Sequence, residues 1–433
     1  MNFKETQLTF DEYGHSIHNY QVFSPDDQWI VYDIRNHDSL IISTGSIRIV
    51  NVVSAEIKEL YTTFNQSKYG PGVGAASFSP KEDKVIFIHG IRNATKKTPY
   101  GFTRRTGVSI DLKHPLHPIF MDARDVFNPF TPGALRGGTH AHSWSGDGKW
   151  ISFTYNDFIM EQLSKTDVHV KDLRTIGIMV PFKKVKVSDH TSFENNDGEM
   201  FSVVVAKVIE KPRPSSDEIE KAFDECWIGE KGYQKVNGDW QEKALAFQGN
   251  VITHEGLVKT ECFVVDLPED VSRAKVNSPL EGSHITRPNV PDTVFQRRIT
   301  YTENGMEGPR HWLRTTSDGS LIAFLMKDKE GIVQIFGVSP NGGNIKQLTF
   351  NAFSVQSQFN FSPDDKRLAY SADNSIFITD MINGNAKRIT IRFNDSDKPV
   401  NGVVWSNNGK MLAYNRYVKS VNGSFIQIFL LKN

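Results

Sequence analysis

The chain has 433 residues, and its 50 Lys and Arg residues balance its 50 Asp and Glu residues, so the formal net charge is zero. A balanced charge provides no global field to recruit nucleic acid or an anionic membrane, and neither is expected as a partner. The first residues, MNFKETQLTF, lack an apolar signal core, no stretch reaches the length of a membrane span, and only two cysteines occur. These features predict a cytoplasmic protein with reduced thiols, unless a signal peptide has been removed.

An internal repeat decides the fold class. Each copy has an anchor residue, a polar turn rich in Ser, Asp and Gly, and an alternating apolar strand, which is the signature of a β-hairpin. Most copies continue into a third and a fourth short strand, as a propeller blade does. The sequence therefore predicts an all-β fold, a seven-bladed β-propeller formed by residues 1–433 as a single domain. The seven anchors are Phe23, Phe78, Trp144, Phe193, Thr315, Phe361 and Trp405.

The two ends of the chain are predicted to meet in one blade. The last copy stops after its third strand, SFIQIFLLKN at 424–433, whereas segment 5–10 matches the fourth-strand segment 346–350 in Gln-Leu-Thr-Phe. The N-terminal strand is therefore expected to complete the last blade and close the ring. Closure removes the exposed sheet edges that promote aggregation.

The first three blades differ in their loops. Blade one has a polar outer loop at 35–46, and blade two opens with the small residues GPGVGAAS at 70–77, which leave room near the axis. Blade two also has a basic loop that includes Arg104 and Arg105. A Gly- and Pro-rich connection at 128–138 leads to Thr-His-Ala-His in blade three, which is the copy richest in histidine.

Blade four is predicted to be interrupted. Between 209 and 246 the alternating pattern stops, and Ser-Ser-Asp at 215–217 precedes apolar residues at helical spacing. This pattern predicts a short helical insertion within 209–246, which either packs over one face of the propeller or contacts a protein partner through segment 215–229. The residues at helical spacing are Ile219, Ala222, Phe223 and Trp227.

The first strand of each propeller blade lines the central channel, so a fixed distance before each anchor marks one ring of side chains. Four residues before each anchor, every position is polar or glycine, and we expect a polar funnel there. The ring positions are Asn19, Gly74, His140, Asp189, His311, Ser357 and Asn401, and the adjoining polar residues are Arg136, His142, Arg310, Gln356 and Gln358. The predicted substrate contacts are Asn19, Asp189, Gln356, Gln358 and Asn401.

The motif His140-Ala141-His142 allows two interpretations. On a strand, an H-x-H pair presents both imidazoles on one face, and His311 or Asp189 from another blade would complete a site for a divalent metal such as Mn, Zn or Fe. Alternatively, the histidines hydrogen-bond to water and to neighbouring strands in a wet channel. The equivalent ring position of His311 favours the metal.

Arg136 and Arg310 flank the histidines and are the candidate catalytic residues. A guanidinium binds a carboxylate through two parallel hydrogen bonds, and beside a metal such groups would suit an acidic sugar or another small carboxylate. Alternatively, each arginine ties a loop to a backbone carbonyl or to a buried aspartate.

Other conspicuous residues have structural interpretations. Asp26, Asp147 and Asp364 occupy turn positions, where we expect them to hydrogen-bond the turn backbone. Trp144 and Trp405 are expected in the core between blades. The sequence contains no Gly-rich phosphate loop, no nucleophile elbow and no Cys/His zinc spacing.

The copies FSPDDQWIVYD, FSPDDKRLAYS and WSNNGKMLAYN resemble the repeats of TolB-type propellers, and this resemblance covers most of the chain. The stretch TPGALRGGTHAHSWSGDGKWISFTYND, together with VYDIRN, resembles a bacterial family of TolB-like proteins whose function is uncharacterised. The resemblance implies the fold and little chemistry.

A more distant resemblance is to oligogalacturonate lyases, seven-bladed propellers in which histidines, including an H-x-H pair, and a glutamine hold a divalent metal, usually manganese. The resemblance implies His140 and His142 as that pair. The position of the family's glutamine is Gly137 here, so Gln356 or Asp189 would have to replace it. In that family, the metal and basic residues support removal of a proton beside a uronate carboxylate, and β-elimination follows.

Two functional hypotheses remain open. The first is a metal-assisted enzyme acting on a small acidic saccharide by an oligogalacturonate-lyase-like β-elimination. The second is a non-catalytic TolB-like propeller that binds a protein or a ligand, through 215–229 or the basic loop near Arg104, because a fold alone does not fix a function. In the first hypothesis the metal ligands are His140, His142 and His311, and Arg136 or Arg310 clamps the substrate carboxylate.

Overall fold

The computed structural model describes residues 3–433, and in this range seven antiparallel sheets surround a central axis as the blades of a propeller. The predicted all-β, seven-bladed fold is confirmed. Strands that follow one another in sequence are hydrogen-bonded neighbours within each blade, and the first strand lies nearest the axis. Local hairpins therefore build each blade, and the ring arises from their repetition.

Blades one to three follow the repeat copies anchored at Phe23, Phe78 and Trp144. In blade one, the innermost segment joins its sheet through two isolated bridges, Ser16 with Asp33 and Phe23 with Ile30. The strands of blade one are Trp29–Asp33, Ser46–Asn51 and Ile57–Thr62; those of blade two are Val73–Phe78, Lys84–Gly90, Arg105–Asp111 and Ile119–Phe120; those of blade three are Gly137–Trp144, Ile151–Asp157, Thr175–Val180 and Phe201–Val204.

Blades four to seven complete the ring. Blade four carries an additional small hairpin, Tyr233–Gln234 with Trp240–Gln241, between its first two strands. The strands of blade four are Lys221–Trp227, Lys243–Ile252, Val258–Leu267 and Phe295–Arg298; those of blade five are Arg314–Thr315, Ile322–Lys327, Val333–Val338 and Lys346–Gln347; those of blade six are Asn360–Phe361, Arg367–Ala372, Ser375–Asp380 and Ala386–Arg388; those of blade seven are Pro399–Trp405, Met411–Ser420, Gly423–Lys432 and Lys4–Gln7.

The described residues contain two short helices, and both lie in loops between the second and third strands of a blade. They are the 3-10 helix Asp38–Ser43 in blade one and the α-helix Phe158–Ser164 in blade three. The Asp157 side chain caps the α-helix by accepting a hydrogen bond from the backbone N–H of Met160. Neither helix has the length and apolar character needed to cross a bilayer.

The N-terminal strand closes the ring, as predicted. Lys4–Gln7 pairs antiparallel with Gly423–Lys432, and Lys4 lies opposite Lys432. Beyond the strand, Leu8 is buried, and the Thr9 hydroxyl accepts a hydrogen bond from the backbone N–H of Ile428 at 2.9 Å. The last blade thus takes three strands from one end of the chain and one from the other.

The hydrophobic core lies between the blades. The middle strands of a blade are buried on both faces, because each face packs against a neighbouring blade. Between blades one and two, for example, Ile49, Val85 and Phe87 belong to one buried cluster. Trp144 and Trp405 are 5% and 6% exposed and pack in such clusters, which confirms the prediction for these tryptophans.

The turn aspartates bind the turn backbone, as predicted. In blade three, Ser145 Oγ donates to Asp147 Oδ1 at 2.5 Å and accepts from the backbone N–H of Trp150 at 3.0 Å. Asp147 Oδ1 also accepts from the backbone N–H of Lys149. The same arrangement recurs in blades one and six at Ser24 with Asp26 and at Ser362 with Asp364. These carboxylates are committed to the turns.

The predicted helix within 209–246 is wrong. Lys221–Trp227 is the innermost strand of blade four, and its residues pair with Lys243–Ile252. The register shifts between Phe223 and Cys226, where Asp224 adopts a left-handed conformation with φ of 51°. This β-bulge inserts one extra residue, so the apolar spacing imitates a helix. Because the strand is largely buried, segment 215–229 does not form the exposed helical contact surface that was expected.

The repeat copy assigned to Phe193 is also corrected. Phe193 lies in the connection that precedes Phe201–Val204, and this strand is the outermost one of blade three. The anchor of blade four is Trp227, which pairs with Leu245 as Trp144 pairs with Ile151. The prediction of a repeat copy at Phe193 is wrong because the Asn-Asp-Gly turn after it resembles a blade turn in composition alone.

Candidate functional site

A funnel-shaped cavity of about 790 Å³ opens at the end of the axis where the innermost strands begin. Its walls combine these strand ends with the loops between the second and third strands of blades one, two and three. The polar and aromatic side chains that line it include His18, Asn19, Arg35, Tyr100, Phe102, Arg105, His140, Arg174, Arg310, Trp312, Gln358 and Asn401.

Bulges in the innermost strands set which side chains face the funnel. Blades two, three, four and seven each have a register shift in this strand, and one residue near it has a positive φ. In blades two, three and four the bulge inserts one extra residue, which reverses the alternation of side chains along the strand, whereas in blade seven it inserts two. The residues with positive φ are Ala75, Ala141, Asp224 and Asn401.

This bulge separates the two histidines of the H-x-H motif. Ala141 has a φ of 56°, so His140 and His142 point to different surroundings. His140 lines the funnel, whereas His142 is fully buried beside Gly107 of blade two, and its Nε2 lies 3.0 Å from Thr139 Oγ1. The expectation that both imidazoles share one face is therefore wrong, because it assumed an unbroken two-residue period.

His311 is engaged elsewhere. Its Nδ1 lies 3.0 Å from the Pro309 carbonyl oxygen, and its Nε2 accepts a hydrogen bond from the backbone N–H of Leu325 at 3.0 Å. Both ring nitrogens are thus used inside blade five. His140, His142 and His311 do not assemble into the predicted metal site, and no cluster of three or more His, Cys, Asp or Glu side chains suited to a metal occurs within residues 3–433. A divalent metal does not fit these residues.

Arg105 is a buried arginine of the funnel whose hydrogen-bond donors are only partly satisfied. The residue is 4% exposed, and its Nη1 donates to the Tyr100 hydroxyl at 3.1 Å. Its Nε and Nη2 are buried and have no hydrogen-bond partner among residues 3–433. The Phe102 ring lies 5.0 Å from the guanidinium carbon. Buried guanidinium N–H groups without acceptors are costly, so this arginine is prepared for an anionic ligand.

Two further arginines adjoin Arg105. Arg105, Arg174 and Arg310 line the same cavity, and the charges of Arg105 and Arg310 add to burial in lowering the pKa of Arg174. Arg310 forms an ion pair with the buried Asp224 at 2.8 Å and lies over the Trp312 ring at 4.4 Å. The three arginines come from blades two, three and five. Asp224 offsets the charge of Arg310, so Arg105 and Arg174 give this part of the funnel its positive charge.

His140 lies among these arginines as a neutral imidazole. Burial holds its pKa well below the usual 6.5, and the charges of Arg105, Arg174 and Arg310 act in the same direction. Its Nδ1 is buried and has no hydrogen-bond partner among the described residues. The side chain can therefore accept a hydrogen bond from a ligand held by the arginines, and it can accept a proton once an anionic ligand offsets the charges of these arginines.

Arg136 is not part of the funnel. It is 1% exposed, its Nε donates to Asp157 at 2.9 Å, and its two Nη atoms donate to the carbonyl oxygens of Ser283 and Thr286. It ties the long connection after the third strand of blade four to blade three. The prediction that Arg136 is catalytic is therefore wrong. The alternative interpretation holds, because Arg136 ties a loop to a buried aspartate.

The five predicted substrate contacts separate into two groups. Asn19, Gln358 and Asn401 line the funnel, and the buried Oε1 of Gln358 has no hydrogen-bond partner within the described chain. Asp189 instead lies in the connection before the last strand of blade three, where its carboxylate accepts from the Thr191 backbone and hydroxyl. Gln356 is exposed outside the funnel and accepts from the backbone N–H of Asn374. The prediction that Asp189 lines the funnel is wrong because its position was counted from Phe193, which is not a blade anchor.

A polar plug closes the narrow end of the funnel. Arg314 of blade five donates to the backbone and side-chain oxygens of Asn19 from blade one, at 3.1 and 2.7 Å. Asn360 of blade six accepts from Arg314 Nε at 2.6 Å and donates to the Val403 carbonyl oxygen of blade seven. Four blades thus meet at the axis through hydrogen bonds, and the funnel is a blind pocket.

Several funnel residues were absent from the sequence-based prediction. Arg35, Arg105, Arg174 and the Phe102 ring reach the funnel from loops or loop ends, outside the ring of strand positions. The sequence predicts that the basic loop of blade two contacts a partner, but Arg104 in this loop is 7% exposed and pairs with Glu194. A search of the loops between second and third strands for arginine would have found the cationic cluster.

The geometry defines a seven-bladed β-propeller with a basic, blind funnel at one end of its axis. A family model described as "Protein of unknown function (DUF3748)" matches residues 72–195. The chain is also 36% identical over 416 residues to the "Uncharacterized protein YidR" of Escherichia coli (strain K12), with 94% of each chain covered. The chain belongs to this DUF3748/YidR family, which confirms the resemblance seen in its repeats.

Solved structures share the fold at low sequence identity. An oligogalacturonate lyase in complex with manganese is 12% identical, with 100% of this chain and 98% of that chain covered and a TM-score of 0.53. A puromycin hydrolase S511A mutant is 9% identical, with a TM-score of 0.50; 94% of this chain is covered, and it spans 50% of the length of that chain. TolB from Acinetobacter baumannii is 12% identical, with 100% and 96% covered and a TM-score of 0.37. For the lyase and the hydrolase, identities this low show a common architecture alone.

Proposed function

We propose that the protein is a binding propeller whose funnel captures a small acidic saccharide or a related small carboxylate. The observation behind this proposal is the buried Arg105, whose Nε and Nη2 have no acceptor among residues 3–433. A carboxylate on the ligand would satisfy both N–H groups in a bidentate pair. Arg174 adds positive charge to the same region, where Arg310 is already paired with Asp224, so the funnel favours an anion over a neutral molecule.

The rest of the funnel suits the body of a sugar. The Phe102 and Trp312 rings provide apolar planes, while the unpartnered Trp312 Nε1 and Gln358 Oε1 provide one donor and one acceptor for hydroxyl groups. Pockets that bind small molecules combine apolar walls with a few placed polar groups in this way. A propeller of this architecture, the oligogalacturonate lyase, acts on an acidic saccharide, so the fold accommodates such a ligand.

Replacement of Arg105 by glutamine tests the proposal. Galacturonate binding, measured by titration calorimetry, is expected to weaken by about tenfold or more, because a charge-assisted hydrogen bond contributes about 1.5–3 kcal/mol. The matched control is Arg392→Gln, which removes an exposed arginine in blade six that pairs with Asp373 outside the funnel. The control variant should bind as the wild type does.

Two results would contradict the proposal. One is equal binding of galacturonate and of the neutral methyl galactoside by the wild-type protein. The other is unchanged galacturonate affinity in a folded Arg105→Gln variant, since the funnel would then not recognise the anion through this arginine.

A second candidate function is a metal-free β-elimination in the same funnel, and His140 favours it. In this reaction the arginines neutralise the uronate carboxylate, and neutral His140 removes the proton from the adjacent carbon. The electron pair left on that carbon forms a double bond to the next carbon of the ring, the bond from that next carbon to the glycosidic oxygen breaks, and the departing oxygen takes a proton from water. No bound metal is required for the proton transfer to the imidazole.

This second candidate predicts that oligogalacturonate gives an unsaturated product in the presence of EDTA. The product is detected by its absorbance at about 235 nm, since elimination forms a conjugated double bond. Because the pKa of His140 lies well below 6.5, the rate should not fall between pH 8 and pH 6 through protonation of this residue. His140→Gln should abolish the rate while leaving galacturonate binding within about threefold. The absence of product across a panel of uronides would contradict the elimination reaction, and only the binding function would then stand.

A further inference from the structure

A second cavity, of about 280 Å³, opens at the opposite end of the axis, where the hairpin turns between first and second strands converge. We refer to it as the axial pocket. The plug formed by Arg314, Asn19 and Asn360 separates it from the funnel, because Asn19 lines the funnel while Arg314 and Asn360 line the axial pocket. A ligand would therefore reach it independently of the funnel. Its volume is close to the lower limit, about 300 Å³, of ordinary small-molecule sites.

The walls of the axial pocket are aromatic. Six of the seven blade anchors line this opening, and five of the six are aromatic. The aromatic anchors are Phe23, Trp144, Trp227, Phe361 and Trp405. The buried Nε1 atoms of Trp144 and Trp405 have no hydrogen-bond partner within residues 3–433. Such walls bind an apolar or aromatic body and offer indole N–H donors beside it.

The floor of the axial pocket contains a buried cation. Arg314 is 6% exposed and makes four hydrogen bonds, to the oxygens of Leu313, Asn19 and Asn360. All four acceptors are uncharged amide or carbonyl oxygens. A guanidinium has five N–H donors, so one Nη1 hydrogen is left for a ligand. A buried cation whose hydrogen-bond acceptors are all neutral favours a bound anion. Two carboxylates, Glu230 and Asp365, also line the pocket, and Asp365 accepts a hydrogen bond from the backbone N–H of Ser317.

Glu225 adds an unsatisfied carboxyl group to the same pocket. The residue is 2% exposed, its Oε2 accepts from the Thr154 hydroxyl at 2.9 Å, and its Oε1 has no partner in the described chain. Burial raises the pKa of Glu225 to about 8, so the carboxyl group is protonated at neutral pH. In this form it donates a hydrogen bond to an anion and does not repel it.

We propose that the axial pocket is a second binding site, for a small monocarboxylate with an aromatic or bulky apolar body. The carboxylate of the ligand meets the free N–H of Arg314 and the carboxyl group of Glu225. The apolar body packs against the ring of aromatic anchors. This site does not depend on the ligand of the funnel, and the two sites differ in the ligand body that they select.

Phenylacetate and its neutral isostere phenylacetamide test the site in the wild-type protein. Calorimetry should show saturable phenylacetate binding that is about tenfold or more tighter than that of the amide, because the acid alone forms charge-assisted hydrogen bonds. Tryptophan fluorescence should change on binding, since three of the seven tryptophans line the pocket. Arg314→Gln should weaken phenylacetate binding about tenfold or more, whereas Arg105→Gln in the funnel should leave it unchanged.

The comparison of the two probes needs no variant, so it remains decisive if Arg314→Gln does not fold. The proposal is overturned by equal affinities for phenylacetate and phenylacetamide, by the absence of saturable phenylacetate binding, or by wild-type affinity in a folded Arg314→Gln protein. Competition by galacturonate, with loss of phenylacetate binding in Arg105→Gln, would place the probe in the funnel and would equally overturn it.

Discussion

A chain that begins at Phe10 is expected to lose on the order of 5 kcal/mol of its free energy of unfolding and to aggregate. The deletion removes the strand Lys4–Gln7, which pairs with Gly423–Lys432. It also removes the buried Leu8, worth about 1.5–3 kcal/mol, and leaves the buried backbone N–H of Ile428 without the Thr9 hydroxyl, a loss of about 1–3 kcal/mol. Urea unfolding and size-exclusion chromatography measure both effects.

A rescue variant makes this prediction specific. Lys4 lies opposite Lys432, so the segment Lys-Glu-Thr-Gln-Leu-Thr can be attached after Asn433 through one added glycine. Asn433 and that glycine would form a two-residue Asn-Gly hairpin turn. The same strand would then pair in the same register from the other end of the chain and restore most of the lost stability. Wild-type stability of the deletion variant itself would show that ring closure by this strand contributes little.

Replacement of Arg136 by alanine is expected to destabilise the protein by about 3–5 kcal/mol, because it leaves Asp157 buried without its ion-pair partner. The substitution also frees the carbonyl oxygens of Ser283 and Thr286, which now accept from the guanidinium. Denaturant unfolding measures the loss. At a temperature where the variant is folded, its affinity for galacturonate should equal that of the wild type, since Arg136 does not line the funnel.

The matched control for Arg136 is Arg392→Ala. Arg392 is an exposed arginine that also pairs with an aspartate, Asp373, at 3.0 Å, and an exposed pair contributes about 0–1 kcal/mol. A catalytic or ligand-binding function for Arg136 would give the reverse pattern, with nearly unchanged stability and strongly reduced galacturonate affinity.

The two cavities divide the axis of this propeller into two chemical environments. The funnel contains several arginines that surround a neutral histidine, whereas the axial pocket has aromatic walls around a single buried arginine. The repeat explains the axial pocket, because six of the seven blades present their anchor residue there. Loops explain the arginines of the funnel, because Arg105 and Arg174 belong to segments that differ from blade to blade.

The histidine motif shows where a local pattern misleads. The spacing of His140 and His142 is that of two ligands on one strand face, and the strand Gly137–Trp144 is present. A single left-handed residue between them, Ala141, reverses the alternation. Alanine has no strong preference for this conformation, so nothing in the local sequence marks the bulge. The same kind of bulge at Asp224 imitated a helix in blade four.

The sequence by itself determined the seven-bladed ring, its closure by the N-terminal strand, and the structural function of the turn aspartates. These features depend on hairpins and two-residue alternation, which are encoded within a few neighbouring residues. Tertiary structure alone decided which side chains meet in the funnel. Arg105, Arg174 and Arg310 come from three blades, and their convergence depends on loop packing and on the bulges that redirect each strand. Neither the packing of a loop between blades nor a bulge at an alanine has a periodic signal in the chain.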